Sequence, residues 1–372
     1  MKRLKKMFFY FVILLLLIAA GAWAFLQTAP FGTSASGNRL ARIQQSKNYR
    51  DGSFQNIEQT DVMRRDASYL VMLKDNFSKP ADVEPTNALP SVQTDLNTLP
   101  ATGTSVVWFG HSSYLIKSDG ITVLVDPVLS GYASPVSFFG KSFPGSNVYT
   151  AAQMPRIDVL VITHDHYDHL DYSTLIALRD RVTRVVVPLG VGAHLERWGY
   201  DPTRISELDW SENVTITEGL ALTAVPARHF SGRGLKRGGS LWSAYVLDIN
   251  AKRIFLGGDS GYGPHFKTIG EQYGPFDLAM LECGQYGRDW PTIHMFPNEV
   301  AVAARDLKTR VLLPVHWAKF ALAFHPWREP IQQLTQSVTP TDAFTLTTPR
   351  IGEPVILNQP LPNTRWWEGI IN

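Results

Sequence analysis

The chain has 372 residues, with 35 Lys and Arg against 33 Asp and Glu, 10 His and one Cys. This length fits one large domain or two small ones, and a hydrophobic share of 44% excludes a disordered or fibrous chain. A net charge of +2 excludes the basic excess of a general nucleic-acid binder, and a single cysteine excludes a disulfide framework or a cysteine-rich zinc site.

The N-terminal segment, residues 1–26, has the composition of a membrane span. Basic residues between Lys2 and Lys6 precede an uncharged, almost wholly apolar run from Met7 to Leu26. At about 1.5 Å per residue, such a run spans a hydrocarbon core of roughly 30 Å. The basic flank predicts a cytoplasmic N-terminus, a single pass through the lipid bilayer and export of the domain that follows. The alternative is a signal peptide cleaved near Ala22-Trp23-Ala24, which would give a secreted protein.

Residues 27–100 are rich in Gly, Ser, Asn, Gln and Pro and have weak periodicity. We interpret them as a leader that packs on the main domain, with a helix between Asp61 and Lys74. The main domain is expected at residues 101–360.

Short β-branched runs follow from Ser105 onward, and helical patterns lie between them. The predicted strands are Ser105–Phe109, Tyr114–Lys117, Ile121–Asp126, Asp158–Thr163, Arg184–Val187, Val214–Thr217, Leu220–Val225, Leu241–Ile249, Arg253–Leu256, Leu278–Leu281 and Val311–Val315. The predicted helices are Tyr172–Arg181, Val191–Trp198 and Glu299–Leu307, the last with Asn298 as its N-cap. This order predicts a layered α/β fold.

A histidine cluster directly follows one buried strand. The run from Asp158 to Thr163 leads into His164-Asp-His-Tyr-Asp-His169, which holds three histidines and two carboxylates in six residues. Imidazole nitrogen and carboxylate oxygen atoms bind zinc at about 2.0–2.2 Å. The cluster therefore predicts a metal site.

Each zinc ion takes about four ligands, so further donors are needed. His229, Asp259 and His316 each follow a predicted strand, and Asp126 ends another. Alone, each of these residues is more typical of a loop or a core than of a metal site.

Together, in this order after His164, these residues resemble the metallo-β-lactamase superfamily over residues 105–355. The resemblance implies an αββα sandwich with metal ions at the sheet edges. It implies two zinc ions per chain, with iron or manganese as alternatives. One zinc is assigned to His164, His166 and His229, the other to Asp168, His169 and His316, with Asp259 between them and Asp126 in a supporting role.

Further motifs are similar to N-acyl-phosphatidylethanolamine-hydrolysing phospholipase D and its bacterial relatives, a group that includes ascorbate-6-phosphate lactonase-like proteins. They are Trp108–Ser113, Asp126–Ser130, His166–Tyr172, Gly258–Tyr262, Gly274–Leu278 and His316–Leu322. The resemblance implies a zinc-dependent phosphodiesterase that acts on a phospholipid-like or other phosphodiester substrate. A lactonase or related acyl hydrolase is the alternative, and a non-catalytic envelope protein that retains the fold is a distant third.

The expected chemistry uses a hydroxide held between the two zinc ions. Asp168 is expected to orient or deprotonate this nucleophile, and His294 to protonate the leaving oxygen. The alternative for His294 is a loop histidine bound to the backbone. His111 is expected to support the site from behind, and direct participation is its alternative.

Several remaining features have two interpretations. The aromatic loop Gly131–Tyr149 is either a lid over an apolar substrate or a loop that packs on the leader. Arg233, Lys236 and Arg237 either meet a phosphate or form a solvated loop. We expect His194, His265 and His325 to be surface or packing residues.

Overall fold

Two seven-stranded β-sheets dominate the computed structural model, which describes residues 2–370. The α-helices within those residues are α1 Lys2–Leu26, α2 Gly37–Gln45, α3 Tyr69–Phe77, α4 Tyr172–Leu178, α5 Gly192–Arg197, α6 His265–Gln272, α7 Pro297–Asp306 and α8 Glu329–Ser337. Short 3-10 helices cover Ala29–Phe31, Leu96–Thr98, Ala151–Gln153, Arg179–Arg181, Pro202–Arg204 and Trp366–Gly369.

The strands form a small hairpin and two large sheets. The hairpin pairs β1 (Tyr49–Arg50) with β2 (Ser53–Phe54). The first large sheet, called the N-sheet, contains β3 (Thr104–Trp108), β4 (Tyr114–Ser118), β5 (Ile121–Val125), β6 (Ile157–Val161), β7 (Val182–Pro188), β8 (Ile205–Leu208) and, beside β3, β16 (Pro354–Ile356). The second, called the C-sheet, contains β9 (Asn213–Thr217), β10 (Leu220–Val225), β11 (Ala244–Ile249), β12 (Lys252–Leu256), β13 (Leu278–Glu282), β14 (Val311–Val315) and β15 (Thr345–Leu346).

The two sheets pack face to face, and helices cover their outer faces. Along β3, Val106 faces the large core between the sheets, whereas Val107 faces a second core under α4 and α5. This alternation is the period of two that a strand imposes on its side chains. Helices α6, α7 and α8 contribute Phe266, Val300 and Ile331 to the core on the C-sheet side. The predicted αββα sandwich is therefore confirmed.

The strands that precede the predicted site residues all end at one edge of their sheet. In the N-sheet, β5 and β6 are parallel and lead to Asp126 and His164. In the C-sheet, β12, β13 and β14 are parallel, and β10 runs the same way because it is antiparallel to β11, which is antiparallel to β12. This direction brings His229, Asp259 and His316 to a common edge.

Three helix predictions differ from the structure. Helix α7 begins at Pro297, so Asn298 lies in its first turn and the N-cap prediction is wrong. The Phe296 amide instead donates to the Glu299 carboxylate at 2.8 Å. The predicted helix at Tyr172–Arg181 divides into α4 and a 3-10 turn, and the leader helix is α3 rather than a segment starting at Asp61.

Leader residues contact the sandwich at widely separated points. Arg39 forms an ion pair with Glu207 at 2.6 Å, and the Leu89 amide donates to the Pro144 carbonyl at 2.8 Å. Ile43 is fully buried in the core between the sheets. We propose that the leader folds with the domain, and the boundary near residue 100 stays a prediction.

Helix α1 is long and apolar enough to cross a membrane. Its most apolar window has a mean hydropathy of 2.5, and none of its described residues is buried in the domain. It is therefore a candidate membrane anchor by length and composition.

We expect Gly258→Ala to lower the free energy of unfolding by about 1–3 kcal/mol, because an added methyl would overpack a buried contact. Gly258 has a φ of +59°, and a Cβ atom there would lie 2.8 Å from the Cβ of Thr163. Urea titration of the full chain in detergent measures the change. Gly369→Ala is the control, since its Cβ would meet no atom within 4 Å. An equal loss in both variants would contradict the prediction.

Candidate metal centre

The histidine cluster forms a tight turn between β6 and α4. The amides of His169 and Leu170 both donate to the His166 carbonyl, at 3.1 and 2.8 Å. Asp171 then caps α4 by accepting from the Ser173 amide at 3.2 Å. This turn aims the side chains of the cluster toward the edge of the C-sheet.

Three histidines converge to form the first cluster. The Nε2 atom of His164 lies 2.9 Å from Nδ1 of His166, and Nε2 of His229 lies 3.3 Å from the same atom. His164 and His229 are buried, and His166 is partly exposed. These nitrogens are close enough to share one metal ion.

Asp168, His169 and His316 form the second cluster. The Oδ2 atom of Asp168 lies 3.5 Å from Nε2 of His169 and 3.5 Å from Nε2 of His316. Both histidines are fully buried. The three donors combine imidazole and carboxylate chemistry in a second candidate metal position.

Asp259 lies between the two clusters. Its Oδ2 atom is 3.7 Å from Nε2 of both His164 and His229, and 3.2 Å from Nε2 of both His169 and His316. The structure thus brings all seven predicted ligands together. Their role as ligands stays a prediction.

Hydrogen bonds at Nδ1 orient three of the imidazoles, those of His169, His229 and His316, so that Nε2 faces the centre. The Nδ1 of His169 lies 2.8 Å from Asp126 Oδ2, and that of His229 lies 2.9 Å from the Ile293 carbonyl. His316 Nδ1 faces the Gly284 carbonyl at 3.3 Å. Partners of this kind fix the tautomer and the ring plane of a metal ligand.

The inward-facing atoms fit a metal ion. His169 Nε2, His316 Nε2 and Asp259 Oδ1 are buried and have no hydrogen-bond partner among the described residues. A buried polar atom without a partner costs about 1–3 kcal/mol, so such atoms need a further ligand. Cys283, the single cysteine, is buried in the core outside the clusters and supplies no thiolate to them.

Two backbone positions next to the clusters have strained conformations. Asp126 and His316 have positive φ values of 42° and 66°, which non-glycine residues rarely adopt. Both follow directly on the last residue of a strand. The strained turn at each position redirects the chain at the sheet edge, which is a pattern typical of functional sites.

The charges in the second cluster favour protonated histidines. Burial opposes the charged forms of His169 and His316, but nearby carboxylates outweigh it. Asp259, Asp168 and Asp126 raise the pKa of His169 well above its usual range. Asp259 and Asp168 raise the pKa of His316 to about 10. A pocket that attracts protons so firmly also attracts cations, and a bound metal would displace the protons.

The first cluster favours neutral histidines. Burial lowers the pKa of His164 and of His229 well below the usual range, and neighbouring imidazoles add to the effect. Neutral imidazole is the form that binds a metal. Burial thus prepares these nitrogens to act as ligands.

Glu282 is a site residue that the sequence reasoning missed. It ends β13, is fully buried, and its Oε2 lies 2.6 Å from Nδ1 of His294 and 3.3 Å from Nδ1 of His316. Burial raises its pKa, and the attraction of His294 offsets only part of this rise. A carboxylate at the end of the apolar run Leu278–Leu281 was the signal available in the sequence.

His294 lies beside both clusters. Its ring centroid is 5.0 Å from that of His229 and 5.2 Å from that of His316. Its Nε2 atom makes no hydrogen bond with the described residues, since only Nδ1 is engaged, by Glu282. The ring is therefore positioned to exchange a proton with a group bound between the clusters.

His111 contacts the second cluster through Asp168. Its Nε2 lies 2.8 Å from Asp168 Oδ2, and burial lowers its pKa to about 3. Its carbonyl accepts the His316 amide at 2.9 Å. It is also close enough to Asp168, His169 and His316 to be a further candidate ligand, so both interpretations of His111 stay open.

The remaining three histidines each contact a neighbouring group of the domain, His194 as a buried residue and His265 and His325 as half-buried ones. His194 Nδ1 accepts the Thr33 amide at 3.0 Å, and His325 Nε2 accepts the Gln285 amide at 2.8 Å. His265 Nε2 lies 3.0 Å from the Ser260 hydroxyl. Each has a partner, so the packing interpretation fits all three.

The basic patch divides into one buried and two exposed residues. Arg233 is buried and donates to the carbonyls of Asp165 and Leu170 at 2.8 and 2.7 Å, so it is neither solvated nor free to meet a phosphate. Arg237 is exposed and its guanidinium carbon lies 5.1 Å from the Phe230 ring centroid. Lys236 is exposed as well.

The loop Gly131–Tyr149 contains buried aromatic residues as well as exposed ones. Phe143 and Tyr149 are buried, and Tyr149 donates its hydroxyl to the Thr94 carbonyl of the leader at 2.9 Å. Phe138 and Phe139 are exposed. The C-terminal part of the loop therefore packs on the leader, while Phe138 and Phe139 present apolar side chains to solvent.

A cavity of about 750 Å³ opens beside His229. Phe230, Arg237 and Trp242 form part of its wall, and leader residues from Arg50 onward form another part. Asn56 of the leader joins cavity and site, because it accepts the His229 amide at 3.1 Å and donates to the His229 carbonyl at 2.8 Å. The leader thus helps to hold a candidate ligand.

Comparisons of the sequence and of the structure with known proteins agree on one family. A model described as a β-lactamase superfamily domain matches residues 122–317. An uncharacterised protein of Mycobacterium tuberculosis is 38% identical over 357 residues, covering 94% of this chain and 95% of that protein. N-acyl-phosphatidylethanolamine-hydrolyzing phospholipase D 1 of Caenorhabditis elegans is 29% identical over 232 residues, covering 59% of this chain and 65% of that protein.

A solved structure shares the fold. Igni18, a metallo hydrolase from the archaeon Ignicoccus hospitalis, superposes with a TM-score of 0.52 and 21% identity, covering 68% of this chain and 97% of that one. The family match, the paired sheets and the two side-chain clusters agree with one another. The chain therefore belongs to the β-lactamase superfamily and is a metal-dependent hydrolase with the metallo-β-lactamase fold.

Proposed function

We propose that the protein is a zinc-dependent phosphodiesterase that cleaves a phospholipid-like substrate at a dinuclear site. The observation that carries this proposal is the position of Asp259, whose Oδ2 lies within 3.7 Å of both histidine clusters. A carboxylate shared between two donor sets is suited to hold two cations a few ångströms apart, an arrangement that clamps a phosphate during displacement.

The donor set supports zinc. His164, His166 and His229 would hold one ion, and Asp168, His169 and His316 the other, with Asp259 between them. Imidazole and carboxylate donors without thiolate suit zinc in hydrolytic sites, although iron and manganese accept the same ligands. His166 stands where a carboxylate would favour di-iron chemistry, and this favours zinc.

Side chains of this chain orient the reaction and move its protons. The two metals, when bound, lower the pKa of coordinated water to about 7 and neutralise charge on the attacked phosphate. Asp168 is held by His111 at 2.8 Å, which fixes its carboxylate toward the second cluster. From there it can accept a proton from the attacking water.

His294 and Glu282 form the proton-donating pair. Glu282 Oε2 lies 2.6 Å from Nδ1 of His294 and holds the ring in place. Nε2 then faces the leaving oxygen. A phosphodiester needs such a donor because an alkoxide is a poor leaving group.

The cavity beside His229 supports an anionic substrate. Arg50 and Arg237 both line it, and a guanidinium group matches the geometry of phosphate oxygens. The N-acyl-phosphatidylethanolamine-hydrolysing relatives in Caenorhabditis elegans and Saccharomyces cerevisiae support a phospholipid-like substrate. The apolar α1 agrees with a location at a bilayer.

The test of the function is a substrate panel. We expect the full chain, loaded with zinc in detergent micelles, to cleave bis-p-nitrophenyl phosphate and N-acyl-phosphatidylethanolamine. A set of lactones offered in parallel tests the alternative. Lactone turnover without phosphodiester cleavage would overturn the proposal in favour of an acyl hydrolase.

We expect Asp259→Asn to reduce metal content from two ions to one or none, because the neutral amide no longer offsets two cations. Metal content is measured by elemental analysis after dialysis against trace zinc, and activity should fall with it. Asp289→Asn is the matched control, since Asp289 is buried but outside the clusters. Retention of two ions in the Asp259 variant would refute the shared-carboxylate arrangement.

We expect His294→Gln to lower kcat by about 10²–10⁴-fold on an alkyl phosphodiester, the usual contribution of a positioned general acid. The loss should be much smaller on bis-p-nitrophenyl phosphate, because p-nitrophenolate leaves without protonation. Zinc content should stay unchanged. Equal losses on both substrates would assign His294 a structural role instead.

A further inference from the structure

The segment that follows α1 is fixed to the domain rather than free. We call residues 27–33 the juxtamembrane segment. Arg197, the last residue of α5, donates to the carbonyls of Gln27 and Gly32, each at 2.5 Å. Both bonds come from a guanidinium group, and hydrogen bonds from charged donors are the stronger kind.

Two further side chains hold the middle of the juxtamembrane segment. Trp198 Nε1 donates to the Ala29 carbonyl at 2.8 Å. Arg233 donates to the Pro30 carbonyl through Nη2 at 2.6 Å and through Nε at 3.1 Å. With Arg197, these side chains form what we call the clamp.

The clamp connects directly to the turn that carries the metal candidates. Arg233 also donates to Asp165 and Leu170, and its carbonyl accepts the hydroxyl of Tyr167. Tyr167 lies between two predicted ligands in sequence and packs edge-on against Phe31 at 6.1 Å. The juxtamembrane segment is therefore connected through Arg233 and Tyr167 to the turn that carries the predicted ligands.

An exposed apolar residue lies beside the end of α1. A cavity of about 480 Å³ is lined by Trp23 and Leu26 of α1, by Asp165 of the histidine turn and by Leu235. Leu235 is 90% exposed, in a loop that also presents Lys236. Tryptophan at the end of an apolar helix is typical of the level where acyl chains meet headgroups.

We propose that the loop Gly234–Arg237 is a membrane-contact loop of this protein. Leu235 inserts into the bilayer that α1 spans, and Lys236 meets the phosphates of the lipid headgroups. The clamp holds this loop and the histidine turn at the bilayer surface, so the site takes its substrate from the lipid beside α1. This source of substrate rests on the proposed function, whereas the contact itself does not.

The contact is measured with the full chain in nanodiscs of phosphatidylcholine and phosphatidylglycerol. An environment-sensitive fluorophore is attached at Leu235→Cys, and the native Cys283 is buried and stays unlabelled. We expect a blue shift on reconstitution and quenching by acyl-chain spin-labelled lipid. Glu218→Cys is the control, because its exposed turn lies at the opposite edge of the C-sheet. Equal quenching at the two positions, or none at 235, overturns the proposal.

The functional consequence is measured with Leu235→Glu. We expect turnover of N-acyl-phosphatidylethanolamine in nanodiscs to fall about tenfold, the effect of losing one buried leucine. Turnover of soluble bis-p-nitrophenyl phosphate should not change, and Leu235→Phe should behave like the parent chain. An unchanged lipid turnover in the glutamate variant overturns the role of the loop.

The two proposals fail in different ways. If the parent chain cleaves neither phosphodiester, the proposed function is wrong, and the quenching at position 235 still decides the membrane contact. If the parent chain cleaves both while position 235 is not quenched, the function stands and the membrane-contact loop is wrong.

Discussion

The structure of the site depends on one buried carboxylate. Asp259 places an oxygen 3.2–3.7 Å from four imidazole nitrogens, away from water at the meeting edge of two sheets. An ionised group in such a place costs several kcal/mol unless opposite charge compensates it. Protons on His169 and His316 can compensate it, and so can cations between the clusters. The hydrogen bonds at Nδ1 of His169, His229 and His316 matter because they hold the Nε2 atoms of these rings near Asp259.

The fold supplies this geometry through strand direction. Because β10, β12, β13 and β14 end at the same edge, residues far apart in sequence meet there. The sequence showed only that these residues follow strands, and the resemblance to the metallo-β-lactamase superfamily implied that they form one site. The alternating and β-branched runs also predicted most strands, whereas the short β8, β15 and β16 carry too few residues for a pattern.

What the sequence could not predict are contacts between distant segments. In the sequence, Glu282 was visible only as the last residue of an apolar strand. Its burial against His294 and His316 makes it a site residue. Asn56 lies 173 positions from the His229 backbone that it holds. Asn298 looked like an N-cap, but Pro297 already begins the helix. Tertiary contacts decided the roles of Glu282 and Asn56, whereas the proline at position 297 decided locally where α7 begins.

Arg233 shows how contacts between distant segments change the role of a residue. In the sequence it belongs to a basic patch, yet burial and its carbonyl partners make it a connector between the juxtamembrane segment and the histidine turn. Arg233 is buried, and a hydrogen bond from a charged donor contributes about 1.5–3 kcal/mol, so Arg233 holds the juxtamembrane segment against thermal opening. The clamp begins at Gln27, so cleavage after Ala24 would leave it intact. The attachment of the juxtamembrane segment to the domain is therefore a property of the folded domain, and it does not depend on whether α1 is retained.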